Sequence, residues 1–358
     1  MAILITGGAG YIGSHTCVEL IQAGYDIIIV DNLSNSSRES VKRIELISGK
    51  KILFYQINLL HQTDIEIVFL ENKIEAVIHF AGVKAVGNSV KEPLQYYQNN
   101  VTGTIILCEV MKKFNVNKMV FSSSATVYGI PEFLPIRENC KTNPTNPYGR
   151  TKLMIEEMLR DLYISNNEWS ITILRYFNPI GAHKSGRIGE DANGIPNNLM
   201  PFITKVAAGK LQTLQIYGDC YPTIDGTGVR DYIHVVDLAK GHLKALEKTL
   251  STSSVETYNI GTGEGNSVFE LITAFESATG VRIPYKITNP RPGDIAISYA
   301  DPSKAKQELG WQAEMGIEEM CEDAWRWQSN NPDGYLSNAA ELISGKNPSI
   351  MNREDFFC

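Results

Sequence analysis

Short runs of β-branched and aliphatic residues alternate with longer amphipathic stretches through the first half of the chain. The runs Ala2–Thr6, Asp26–Val30, Ile52–Gln56, Ala76–His79, Lys118–Ser122 and Ser170–Tyr176 have the length of strands, and the segments between them are long enough for crossover helices. This order predicts an α/β fold, a doubly wound parallel sheet covered by helices on both faces. Beyond about Asn178 the pattern loosens into loops rich in Gly, Pro and Asn at 186–196, 218–228 and 289–293, with shorter helices and strands between them. A smaller, loop-rich α+β part is expected there. The spacing also predicts two long helical segments, about 90–113 and 149–166.

At 358 residues the chain exceeds the roughly 100 to 200 residues of one domain, which agrees with two fused parts. Its 43% hydrophobic and 20% charged residues can fill a large core, so disorder is not expected. The net charge of −7 has the wrong sign for a nucleic-acid binder, so any anionic ligand must be held by a local cationic site. The six cysteines are scattered without a C-x-x-C pair, which suits a reducing, cytoplasmic setting. No stretch has the roughly 18 apolar residues of a spanning helix, so no membrane partner is expected. His15, His61, His79, His183, His234 and His242 form no metal-ligand spacing; no metal is expected, and His79 reads as a structural hydrogen-bonder.

Candidate chemistry begins where the first strand runs into Gly7-Gly8-Ala9-Gly10-Tyr11-Ile12-Gly13 and a helical pattern to about Ala23, with Asp31 closing the second strand. Glycines at 7, 10 and 13 let the backbone turn tightly and approach a pyrophosphate at the helix N-terminus. Strand, glycine turn, helix, strand and terminal acid in this order point to a Rossmann-like dinucleotide site. Asp31 would accept hydrogen bonds from the adenosine ribose and repel a 2′-phosphate, favouring NAD over NADP.

A second constellation joins the serine-rich strand end Ser122-Ser123-Ser124 to Tyr148 and Lys152, four apart and so on one helix face. A lysine about 6 Å from the phenol would favour the phenolate by about 3 kcal/mol at an effective dielectric of about 20, which makes Tyr148 a candidate acid and base.

Together these motifs resemble the extended short-chain dehydrogenase/reductases and, among them, the UDP-glucose 4-epimerases. The resemblance covers about residues 1–336 and rests on strings such as TGGAGYIGSHT (6–16), HFAGVKAVGNSV (79–90), FSSSATVYG (121–129), LRYFNPIGAH (174–183), DGTGVRDYIHV (225–235) and YNIGTGEGNSV (258–268). It implies an NAD-binding domain of 1–176 with 233–262, a UDP-sugar-binding domain of 177–232 with 263–337, and a tail, 338–358, in which 339–343 could form a short helix. It further implies NAD contacts at Gly7, Gly10, Tyr11, Ile12, Asp31, Asn32, Asn58, Phe80, Ala81, Lys84 and Asn99, with Ser124, Tyr148 and Lys152 as the catalytic set, Tyr148 and Lys152 also meeting the cofactor. On the substrate side it implies Ser124, Asn178, Asn198, Leu199, Tyr217, Arg230, Arg291, Asp294 and Ser298. Two arginine forks suit a diphosphate, the ring of Tyr217 can stack on uracil, and Asp294 can bind ribose hydroxyls. A homodimer through the two long helical segments is implied as well.

Three positions qualify the resemblance. Asn58 stands where the family usually has Asp beside the adenine amino group. Ala125 and Thr126 stand where nucleotide-sugar 4,6-dehydratases carry an Asp-Glu pair and related decarboxylases a Glu, so those rival activities lack their acid and base; a dinucleotide-sensing regulator is the other rival, and it has no need of Tyr148 with Lys152. Ser298 falls where the family flanks the sugar C2 substituent. A bulky Tyr there excludes the 2-acetamido group, and small Ser298 is expected to admit it, unless Ser298 is merely a strand residue facing solvent.

Overall fold

The computed structural model describes residues 1–191, 196, 198–291 and 294–338. The first strands are Ala2–Thr6 (β1), Asp26–Asp31 (β2), Leu53–Gln56 (β3), Ile74–His79 (β4), Lys118–Ser122 (β5) and Ser170–Tyr176 (β6). Asn178–Ile180 (β7), Leu214–Tyr217 (β8), Val229–Arg230 (β9) and Tyr232–His234 (β10) follow, then Val255–Ile260 (β11), Asn266–Ser267 (β12), Tyr285–Thr288 (β13) and Ile297–Ser298 (β14). Seven of them form one parallel sheet in the order β11-β6-β5-β4-β1-β2-β3. Alternation along each strand serves both faces. Ile3 and Ile5 pack with Ile27, Ile29 and Ile78 against helices Tyr11–Gln22 and Val235–Ser251, while Leu4 packs with Ile28, Val30 and Val77 against Gln62–Glu71, Gly103–Lys113 and Pro147–Ser165. The expected doubly wound α/β sheet is what forms.

Two expectations change. The sheet has a seventh strand, β11, beyond the six that the apolar runs picked out. The helix expected over about 90–113 is broken: Val86–Lys91 ends at Glu92, whose φ of −126° and ψ of 58° are not helical, and Pro93 starts Pro93–Tyr96. The ring of Pro93 disfavours the helical conformation at the preceding residue. A π-helical stretch, Tyr97–Thr102, then leads into Gly103–Lys113. The second long segment forms as Pro147–Ser165, its first turn capped by Asn146 Oδ1 at 2.9 Å from the Gly149 N–H.

Residues beyond β6 add short strands and a separate apolar cluster. Leu214 and Ile216 of β8 are covered by Met200 and Ile203, Leu271 and Phe275, and Met320 and Ala324, from helices Leu199–Ala207, Val268–Thr279 and Ile317–Asn330. β8 pairs with β13, β9 lies between β12 and β14, and β10 pairs with β7. The segment 339–343 lies outside the described residues.

Candidate functional site

At the C-terminal end of β1 the chain leaves the sheet through glycines that cannot carry a side chain. A Cβ on Gly7, whose φ is +73°, would stand 2.7 Å from the backbone nitrogen of Ala81, and one on Gly13 would stand 2.3 Å from the Gly7 carbonyl oxygen. Phe80 and Ala81 both donate backbone N–H groups to the Thr6 carbonyl, which brings the end of β4 against the glycine turn. No side chain caps the helix that begins at Tyr11, which leaves its first backbone N–H groups without a side-chain acceptor, as the binding of an anion there requires. Asp31 is buried beside it and accepts hydrogen bonds from Ala9 N, Leu33 N and Ser36 Oγ at 2.8–3.1 Å, which leaves spare acceptor capacity for a ribose hydroxyl. This cradle, uncapped helix end and buried acid fit a dinucleotide.

The other residues expected there lie around the same strand ends. Asn32 Oδ1 takes the Ser34 N–H, and Asn58 Oδ1 takes the Leu60 N–H at 3.0 Å, so amide and carboxylate would serve that turn equally. Tyr11 donates its hydroxyl to the Gly181 carbonyl at 2.7 Å. Asn99 donates to Asn100, whose amide grips both backbone groups of Val83 and is buried against Thr151. Lys84 pairs with Glu190 at 3.1 Å, and the same Glu190 oxygen accepts from Asn198 at 2.8 Å. Glu190, which joins a cofactor-side candidate to a substrate-side one, carries no sequence motif and was missed. His79 is held between Thr6 Oγ1 and Thr104 Oγ1, and burial lowers it to about 3, a neutral structural group.

Tyr148 and Lys152 lie together under the end of β5, both buried. Lys152 donates its Nζ to the Ser122 carbonyl at 2.7 Å and stands 4.9 Å over the Phe121 ring and 6.0 Å from the ring centre of Tyr148. The spacing predicts a lysine that draws the phenol down. In the fold, burial dominates instead: it holds Tyr148 well above the usual phenol range, with Tyr176 adding and Ser124 opposing, and it lowers Lys152 to about 8 against the pull of Glu156. Ser124 Oγ accepts from Thr126 N and Thr126 Oγ1. Behind this set, buried Glu156 accepts from Ser123 at 2.5 Å and pairs with buried Arg175. Tyr176, whose hydroxyl meets Ser122 Oγ at 2.8 Å, was also missed. Its position at the end of a strand was the available signal.

Two residues beyond Tyr176, Asn178 opens the wall of a cavity of about 170 Å³. Asn198, Leu199, Tyr217, Arg230, Arg291 and Asp294 border it too, so the fold gathers seven of the nine substrate-side candidates. Ser124 and Ser298 are not on its wall. Ser298 is nevertheless buried, paired in register with Arg230, which excludes a solvent-facing strand position. Arg291 and Asp294, expected to hold different parts of the ligand, pair with each other at 2.9 Å, and the Arg291 guanidinium lies 4.7 Å over the Tyr217 ring. One face of that ring is thus covered by the arginine rather than open for a base. Phe202, Gln215, Tyr221, Tyr232 and Val268 are among the other lining residues, none of them singled out from the sequence.

Comparison with known proteins agrees with this geometry. A family model described as GDP-mannose 4,6 dehydratase matches residues 4–324. UDP-glucose 4-epimerase of Bacillus subtilis is 63% identical over 337 residues, covering 94% of this chain and 99% of that protein. A crystal structure of UDP-glucose 4-epimerase from Bifidobacterium longum in complex with NAD+ and UDP superposes with a TM-score of 0.91 at 54% identity, covering 93% and 100% of the two chains. The UDP-Glc/GlcNAc 4-epimerase of Campylobacter jejuni is 37% identical at a TM-score of 0.80, covering 92% and 99%. The chain belongs to the GDP-mannose 4,6 dehydratase family and, within it, to the UDP-glucose 4-epimerases.

Proposed function

We propose that this chain is an NAD-dependent isomerase that interconverts UDP-glucose with UDP-galactose and, in addition, UDP-N-acetylglucosamine with UDP-N-acetylgalactosamine. The observation that carries the reading is the adjacency along β6 and β7: the Tyr176 hydroxyl meets Ser122, whose carbonyl holds Lys152 beside Tyr148, and two residues later Asn178 enters the cavity that holds Arg230 and Arg291. Residues 1–176 with 233–262 serve the cofactor in this proposal, and 177–232 with 263–337 the nucleotide sugar.

Bound NAD supplies reversible oxidation at the sugar C4. Gly7, Gly10, Tyr11 and Ile12 would hold its pyrophosphate, Asp31 and Asn32 its adenosine ribose, Asn58 its adenine, and Phe80, Ala81, Lys84 and Asn99 its remaining length. Tyr148 would take the proton from the sugar 4-hydroxyl and return it to the same oxygen after the 4-keto sugar has turned its other face to the cofactor, with Ser124 hydrogen-bonding to that oxygen. At neutral pH Lys152, at about 8, keeps most of its charge beside that phenol. It favours the ionised form that burial opposes. Because oxidation and re-reduction cancel, no second co-substrate is consumed.

The 4,6-dehydratase reading suggested by the family description needs a carboxylic acid after Ser124. Ala125 and Thr126 occupy the short turn there and supply none. For the N-acetylated pair, support comes from the small, buried side chain at 298. The test is product analysis with purified protein and each UDP-sugar, without added cofactor, for wild type and Ser298→Tyr. The variant should lose at least about 100-fold in kcat/KM on the N-acetylated pair and keep the simple hexoses. No activity of the wild type on the N-acetylated pair would overturn that part, and no epimerisation of either pair would overturn the whole.

Exposed Val90, Leu94, Ile105 and Met154 lie on the segments expected to dimerise and support a homodimer, which light scattering would test. A cytoplasmic location is part of the same reading. Among the described residues no helix is long and apolar enough to cross a membrane.

A further inference from the structure

Seven buried side-chain nitrogen or oxygen atoms have no hydrogen-bond partner among the described residues, and of these only the hydroxyl of Tyr221 belongs to a residue on the cavity wall. An unanswered buried donor costs free energy, so its persistence at a binding cavity calls for an acceptor that arrives with the ligand.

The hydroxyl is held in place by a loop built for it. Gly218, with a φ of +88°, brings the chain so close to the Tyr221 ring that a Cβ would stand 2.9 Å from its Cε2, and a Cβ on Gly226 would collide with the Asp219 carbonyl. Tyr221 N donates to Gly226 O, and Thr223 N to Tyr221 O. Thr223 Oγ1 donates to the Thr227 carbonyl, and Asp225 takes both the N–H and the hydroxyl of Thr227. The backbone that carries Tyr221 is therefore held by the loop's own hydrogen bonds.

Its electrostatic surroundings select the acceptor. Arg230, Arg291 and Asp294 share the cavity wall with Tyr221, and their charges act on its phenol. The Asp294 carboxylate is engaged by Arg291 and makes no hydrogen bond with the Tyr221 hydroxyl. Burial is the largest cause of a raised pKa, so the group is a protonated donor at neutral pH. A donor that shares its cavity with two guanidinium groups calls for an anionic oxygen. We infer that Tyr221 donates a hydrogen bond to the diphosphate of the nucleotide sugar, the chemistry that the two arginines also select. This rests on the reading of the cavity as the UDP-sugar site.

The test compares wild type with Tyr221→Phe as NAD-loaded protein, measuring UDP and uridine binding by calorimetry together with the melting temperature without nucleotide. Loss of a hydrogen bond to a charged group should weaken UDP about tenfold and raise KM for UDP-glucose by a similar factor, with the loss falling on KM rather than kcat. Uridine should be affected less than about twofold, and the melting temperature should stay or rise, because the variant removes an unanswered hydroxyl. Unchanged UDP binding overturns the inference, as does an equal loss for uridine, which would put the contact on the nucleoside. A clear fall in melting temperature also overturns it, since the hydroxyl would then have an internal partner. Wild type that does not bind UDP would overturn the cavity reading itself.

Discussion

The two ends of the site are built on opposite terms. Around the strand ends of β1 and β4 the polar groups are answered from within: Asp31 takes three donors, His79 has a threonine on each ring nitrogen, and Asn100 closes on the backbone of Val83. Around the cavity, charged groups hold one another instead. Arg291 pairs with Asp294, Asn198 donates to Glu190, and the Tyr221 hydroxyl has no partner among the described residues. A region whose hydrogen bonds are already made can hold a permanent occupant at little reorganisation cost. A region whose groups exchange one partner for another suits a ligand that comes and goes.

The largest effect should arise where the two ends meet. Tyr148→Phe deletes one oxygen, and general acid–base catalysis contributes about 10² to 10⁴-fold, so kcat should fall about a thousandfold with bound NAD retained. Its absorbance and the rate of epimerisation measure both. A variant within a few-fold of wild type would remove Tyr148 from the mechanism.

On the cofactor side, Asp31→Asn keeps the volume and an acceptor oxygen but drops the charge. NAD should be held about 30-fold less tightly, and discrimination against NADP should shrink with it, because the repulsion of a 2′-phosphate vanishes with the carboxylate. Competition between the two cofactors in the refolded protein measures this. Unchanged preference would mean that the discrimination lies in the loop that Asp31 organises rather than in its charge.

The sheet was legible because its strands are apolar on both faces, and the glycine turn because its spacing is tied to a strand before and an acid after. β11 escaped for the reverse reason: Thr257 and Asn259 are polar but buried, and Asn259 is spent on the Tyr128 hydroxyl and the Ile136 carbonyl. The break at Glu92 was available in the sequence, in Pro93. Burial at the catalytic set was not, because a spacing of four assigns a helix face but says nothing of what covers it. Tyr221 and Glu190 sit in stretches without periodicity, and only the folded loops give them neighbours.

Acid should distinguish the two regions next. His79 is lowered to about 3 by burial, whereas an unfolded histidine titrates near 6.5. Between these values the unfolded chain binds a proton that the folded one refuses, so stability is full above about 6.5 and falls as the pH drops toward 3. His15, at about 3, and His242, at about 4, behave the same way. His79→Gln removes one such proton. Near pH 5 the slope of unfolding free energy against pH should be shallower than in wild type by about 1.4 kcal/mol per unit, whatever the variant's overall stability. Denaturant titrations at several pH values read that slope, and identical slopes would mean that His79 is protonated in the native protein.

The smallest effect is expected at the one cofactor-side position that departs from its family. If charge at position 58 mattered to the fold, Asn58→Asp would shift stability. Yet the Asn58 oxygen is engaged with the Leu60 N–H, a bond that either side chain makes, so the turn itself should not register the change. What remains is the cofactor's adenine amino group, a neutral donor for which a carboxylate is the stronger acceptor. The gain is limited because the end of β3 is only half-buried and solvent screens the added charge. Asn58→Asp should therefore tighten NAD by less than about fivefold and leave turnover unchanged. A tenfold or larger gain in NAD retention would show that the cofactor end of the site is less complete than its internal hydrogen bonds suggest, and would narrow the contrast with the cavity.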